Sequence, residues 1–119
     1  MTIEEIVKDY LSEQMDVPVF MELPETPSER FHKIPERFIV LEKVGGGAKD
    51  HIENGSIAVQ SYSLRSLYAA SALDEEVRTV MQGIIERPEI SEVRLASSYN
   101  HTDTRTKRYR YQSVFDFSF

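Results

Sequence analysis

The chain has 119 residues, 14 Lys plus Arg against 20 Asp plus Glu, a formal charge of −6 and no cysteine. That length fits one domain with one ordinary core, and the missing thiols exclude disulfide staples, cysteine-based zinc sites and thiol nucleophiles. The acidic balance argues against a duplex-DNA binder, no run approaches the ~18 apolar residues of a membrane span, and Met1-Thr2-Ile3-Glu4-Glu5 lacks the basic flank of a signal peptide, so a cytoplasmic chain without a membrane partner is expected.

Ile3, Ile6, Val7, Tyr10 and Leu11 recur at helical spacing and form one apolar stripe, which predicts a short amphipathic helix. Thr2 followed by Glu5 fits a capping box at its start. Met15-Asp16 breaks the period. Val17, Val19, Met21 and Leu23 then alternate with Pro18, Phe20 and Glu22, predicting a short strand that Pro18 places at a sheet edge. Prolines and charges from Pro24 to Pro35 predict a loop, with room for one helical turn at Thr26-Pro27-Ser28-Glu29.

Phe38 to Val44 is a nearly continuous apolar run rich in β-branched residues, which predicts a central strand buried on much of both faces. Gly45-Gly46-Gly47 is expected to end it, followed by a polar loop through Asn54-Gly55. Residues Ile57 to Tyr62 predict a third strand, antiparallel to the second because so short a link without helical period makes no parallel crossover.

The longest periodic segment runs from Ser66 to about Arg87, where Ala69, Leu73, Val77, Val80 and Ile84 step by three or four and Ala70 and Met81 widen the stripe. Pro88 ends this helix by pushing Arg87 out of helical geometry. The run Asp74-Glu75-Glu76 reads as its solvated side. Ile90, Val93 and Leu95 predict a fourth strand, and the polar tract from Tyr99 to Thr106 a connection. In the last strand Tyr109, Tyr111, Phe115, Phe117 and Phe119 fall on odd positions while Arg108, Arg110, Gln112, Asp116 and Ser118 take even ones, so one face is aromatic and the other polar. The three terminal phenylalanines are expected to enter the chain's own core. The sum is one α+β domain over residues 1–119, in the order α-β-β-β-α-β-β: an antiparallel or mixed sheet of about five strands, a short N-terminal helix and one long helix packed on it.

Sites for chemistry are hard to find. Gly45-Gly46-Gly47 lacks the spacing of a P-loop and of a dinucleotide fingerprint, and fits a turn. His32, His51 and His101 fall in three separate predicted loops without metal-ligand spacing, so no metal and no cofactor are expected. No Gly-x-Ser-x-Gly elbow exists, and consecutive carboxylates on a helix diverge too far to act as a catalytic pair. Arg105, Lys107, Arg108 and Arg110, interleaved with Tyr109 and Tyr111, are the best candidates for nucleic-acid contact. Strand alternation puts Arg108 and Arg110 opposite both rings, which favours solvent or a protein partner instead. Residues 1–54 carry 6 basic and 12 acidic side chains while residues 55–119 carry 8 of each, so the whole excess charge lies in the first half.

Pro35-Glu36-Arg37-Phe38-Ile39-Val40-Leu41-Glu42 running into Gly45-Gly46, the strand Ile57-Ala58-Val59-Gln60-Ser61-Tyr62 and the alanine-rich helix from Ser66 resemble the tail-terminator or tail-completion proteins of long-tailed phages. The resemblance runs from the first helix through Tyr111 and consists of strand and helix types, with no catalytic signature. It implies a sheet flanked by two helices, a homo-oligomeric ring of about six chains, and contacts with a tail-tube protein and a head-completion or connector protein. It also implies a non-enzymatic virion protein of a phage or prophage, found in the host cytoplasm during assembly. The Pro24 to Pro35 stretch departs from the family pattern in its length. The family transfers no reactive residue, so interface positions rest on physical reasoning. The loop from Gly45 to Gly55, with Gly46, Gly47, Lys49 and Asp50, is one candidate. The other is the Tyr99 to Thr106 connection, with Asp103 and Arg105, continued by Lys107, Arg108 and Arg110. Each fits ordering on assembly, and each equally fits a plain solvent loop. Three alternatives stay open: a head-side joining protein of the same virion, a small nucleic-acid-binding domain, and a small hydrolase or ligand-binding domain, which needs a concave pocket with convergent polar groups.

Overall fold

The computed structural model describes residues 2–22, 36–49, 52–100, 102 and 108–119. The chain runs through α1 (Ile3–Gln14), β1 (Val19–Phe20), β2 (Arg37–Lys49), β3 (Ile52–Ser63), α2 (Leu67–Met81), β4 (Glu92–Asn100) and β5 (Tyr109–Ser118). This is the expected α+β order. The five strands form one mixed sheet with the spatial order β1-β2-β3-β5-β4. Every neighbouring pair is antiparallel except β1, which lies parallel to β2 through Val19↔Ile39 and Phe20↔Val40.

Side-chain periods decide which face the helices cover. Ile3, Ile6, Val7, Tyr10 and Leu11 of α1 are all buried, and Thr2 caps the helix by accepting from the Glu5 amide. On α2 the buried residues are Ala70, Leu73, Asp74, Val77 and Met81. Ser66 accepts from the Ala69 amide as its N-cap, while Ser63 holds the approaching turn by accepting from the Arg65 and Ser66 amides. Both stripes meet Ile39, Leu41, Ile57, Val59, Phe115 and Phe117 on one face of the sheet, with Phe119 packed against the same core. Full burial of side chains such as Leu11, Leu41 and Leu73 stabilises by about 1.5–3 kcal/mol each. The terminal phenylalanines thus contribute to the chain's own interior.

Six expectations change. Tyr99 and Asn100 belong to β4 and not to the connection after it, and β2 is buried only from Phe38 to Leu41, with Glu42 to Val44 exposed. The glycine run does not end β2: the strand continues through Gly45↔Ser56, Gly46↔Gly55 and Gly47↔Asn54 to Lys49↔Ile52, so the expected loop is the far half of a long hairpin. Gly45 faces Ser56 and Gly46 faces Gly55 across that ladder. Val44 is the extra residue where the register shifts, and Ala96 is its counterpart in β4. The first strand is only two residues long, although Pro18 does mark an edge, its carbonyl accepting from the Ile39 amide. The α-helical part of the long helix stops at Met81 and passes into a 3₁₀ turn, Gln82–Glu86. A Cβ at Gly83 would lie 2.5 Å from the Tyr10 hydroxyl, which donates to the Val80 carbonyl at 2.7 Å, so α1 docks where that residue has no side chain. Finally, Asp74 is not solvated. It sits four residues after Ala70 and three before Val77, on the buried stripe. The Pro24 to Pro35 expectation lies outside the described residues.

Candidate functional site

The face of the sheet opposite the helices carries the most organised polar chemistry. Strand alternation brings even-numbered residues of β3 and β5 to it, and register lines them up in rows. Phe38, Tyr62 and Arg110 form the first row. The Phe38 and Tyr62 rings stack at 4.8 Å with 8° between planes, Phe20 meets Phe38 edge-on at 5.8 Å, and Arg110 lies over Tyr62 while donating to its hydroxyl at 2.9 Å. Gln60, Gln112 and Tyr99 form the second. Gln60 donates to Gln112 at 3.1 Å and to Glu42 at 3.2 Å, and Gln112 donates to the Tyr99 hydroxyl at 2.7 Å. This chain of bonds ties four strands together on a single face.

Nearer the other end, Ser56, Asp116 and Arg94 are in register. The Ser56 hydroxyl donates to Asp116 at 2.6 Å and Arg94 donates to it at 2.9 Å. The Ser56 bond first, then that from Arg94, holds the Asp116 carboxyl below the usual carboxylate range, and the same carboxylate raises the Arg94 guanidinium further. On the helix side, Asp74 accepts from Ser113 at 2.5 Å, Ser98 at 3.0 Å and Arg78 at 3.1 Å. That carboxylate is saturated with donors inside a closed contact, so it fastens α2 to β4 and β5.

The expected interface residues separate into two groups. Gly45, Gly46, Gly47 and Lys49 lie in β2 at the end of the sheet where Asn54, Ser118 and Glu92 align. Tyr99 near the end of β4, Arg108 in a lone bridge and Arg110 in β5 lie at the opposite end. The structure brings each group together and keeps the two apart. Asp50, Asp103, Arg105 and Lys107, like His32, His51 and His101, fall outside the described residues. Two of the rings nearest the cations, Phe38 and Tyr62, are at most 2% exposed, so neither offers a stacking face to a base. Tyr109 and Tyr111 are half-buried.

Two surface features lie outside the expected sites. Leu64, Leu67 and Tyr68 are exposed together at the start of α2, with Tyr68 at 83%. Leu67 and Tyr68 fall off the helix's apolar stripe, which was the available hint. A groove of about 500 Å³ runs along the outer side of β2, lined by Glu4, Met21, Val40, Glu42, Lys43 and Tyr62 among others. Among the described residues no group of His, Asp and Glu is placed to hold a metal ion, and no helix is long and apolar enough to cross a membrane.

No protein-family model matches this sequence, and none of the curated proteins matches it significantly.

Proposed function

We propose that this chain is a virion structural protein of the tail-terminator kind, which caps a phage tail tube and contributes to head joining by assembling into a ring. The observation that carries this reading is the pair of open rims of the sheet. β4 is the last strand on one side. On the other side β1 covers β2 only at Ile39 and Val40, and among the described residues no strand pairs with the outer edge of Leu41–Lys49. The antiparallel ladder makes these two rim strands run in opposite directions. Copies related by rotation about an axis along the strands therefore meet rim to rim with antiparallel strands and the same end up, an arrangement compatible with a closed heterologous ring. Such a ring has two different faces. The β2–β3 hairpin end would meet one neighbour in the virion, and the end bearing Asn100 and Arg108 the other.

The test is assembly on the tube. Sedimentation of the chain with and without tail tubes should show a species of about six copies, and electron micrographs should show it at tube ends, where it stops further polymerisation. A chain that stays monomeric and ignores tube ends sinks the reading.

A further inference from the structure

We propose a specific seam between copies, resting on the ring reading: the Val93–Leu95 segment of β4 in one copy pairs antiparallel with Leu41–Lys43 of β2 in the next, with Arg94 against Glu42. Four observations fix this register. β1 occupies the β2 rim as far as Val40, so an incoming strand begins at Leu41. The extra residues at Val44 and Ala96 interrupt each rim, leaving Leu41–Lys43 and Glu92–Leu95 as short unbroken stretches, three and four residues long.

Facing then selects among the pairings of those two stretches. Glu42 bonds to Gln60 and Arg94 to Asp116, all on the side of the sheet away from the helices, whereas Leu41 and Leu95 align with core strands on the helix side. Only pairings that put like faces together survive, because a one-residue slip exchanges the faces. Opposing Glu42 to Arg94 does so, and it also sets Leu41 beside Leu95, a leucine 44% exposed on β4. Moving two residues one way opposes Glu42 to Glu92, and moving two the other way opposes it to the extra residue Ala96.

Charge supports the same choice. The groove beside Leu41–Lys43 is walled by three acids, Glu4, Glu22 and Glu42, against two cations, Lys43 and Arg110, and Arg110 is already bonded to the Tyr62 hydroxyl. Arg94, the cation that would enter it, keeps its side chain 72% exposed although it is bonded to Asp116. A cross-strand pair of opposite charge contributes about 0.2–1 kcal/mol, so its main effect is to fix register.

The chain has no cysteine, which makes thiol cross-linking a clean test. Both positions are exposed, and a melting curve verifies that E42C and R94C variants keep the fold. With a short bis-maleimide, E42C/R94C should give a ladder of covalent multimers on a denaturing gel, while an equimolar mixture of E42C and R94C chains should give one dimer band and nothing larger. R94C alone should stay monomeric. Dimers from R94C alone would mean that β4 pairs with itself, and this overturns the seam. A chain that sediments as a ring yet yields no ladder overturns the seam and leaves the ring standing. A chain that yields no ladder, sediments as a monomer and ignores tube ends overturns both.

Discussion

Ser113 in β5 donates a hydrogen bond from its hydroxyl to the Asp74 carboxylate of α2 across 2.5 Å, at a point where neither residue is reached by solvent. A buried carboxylate is costly unless donors surround it, and here Ser98 and Arg78 complete the set. Asp74→Ala leaves the Ser113 hydroxyl without its acceptor and should destabilise by about 2–4 kcal/mol. In a urea titration the midpoint should fall at unchanged slope. The same change made in a Ser113→Ala background should cost less, and equal costs would show that the two groups do not couple.

Gly83 is required by Tyr10. Gly83→Ala places a methyl 2.5 Å from the phenol oxygen and should destabilise by about 1–3 kcal/mol. Tyr10→Phe removes that oxygen at the cost of its bond to Val80, about 1 kcal/mol. In the double variant the alanine should therefore be tolerated better than in the wild-type background, as thermal melts would read directly.

Asp116 should shape the acid limb of stability. Its carboxyl is held below the unfolded value by Ser56 and Arg94. The stabilisation is therefore complete above the unfolded carboxyl pKa of about 3.9 and is lost as pH falls through the lower folded value. Asp116→Asn should cost stability at pH 7 and flatten the decline below about pH 4. Arg94 is exposed, so added salt should weaken its share. An acid limb identical in the two proteins would refute the assignment.

Tyr62 has separable parts. Tyr62→Phe keeps the stack on Phe38 and loses the bond from Arg110, which predicts a loss of about 1 kcal/mol. Tyr62→Ala removes the ring as well and should cost about 3–5 kcal/mol. Denaturant midpoints of the two variants measure the difference.

Elements with a clean period were readable from the amino acids. The α1 stripe and the alternation of Phe115 and Phe117 each identified a buried face because their side chains pack into one apolar core. Gly45–Gly47 misled for the opposite reason. Glycine carries no preference that marks a strand, and here the ladder partner Gly55 with Ser56 and Asn54 supplies the order. Asp74 was obscured by its acidic neighbours, although its spacing from Ala70 and Val77 already assigned it to the inner side. The parallel docking of β1 and the partition of interface candidates to opposite ends depend on contacts between residues far apart in the chain, which no local pattern encodes.

The irregular residues Val44 and Ala96 have an effect beyond their own positions. Val44 sharpens the twist of β2 beyond the two residues that β1 covers, and Ala96 that of the edge strand β4. Fibrillar stacking needs long flat borders that any copy can extend. A border bent at Val44 or at Ala96 is a poorer template for such stacking, so each insertion works against unlimited edge-to-edge growth.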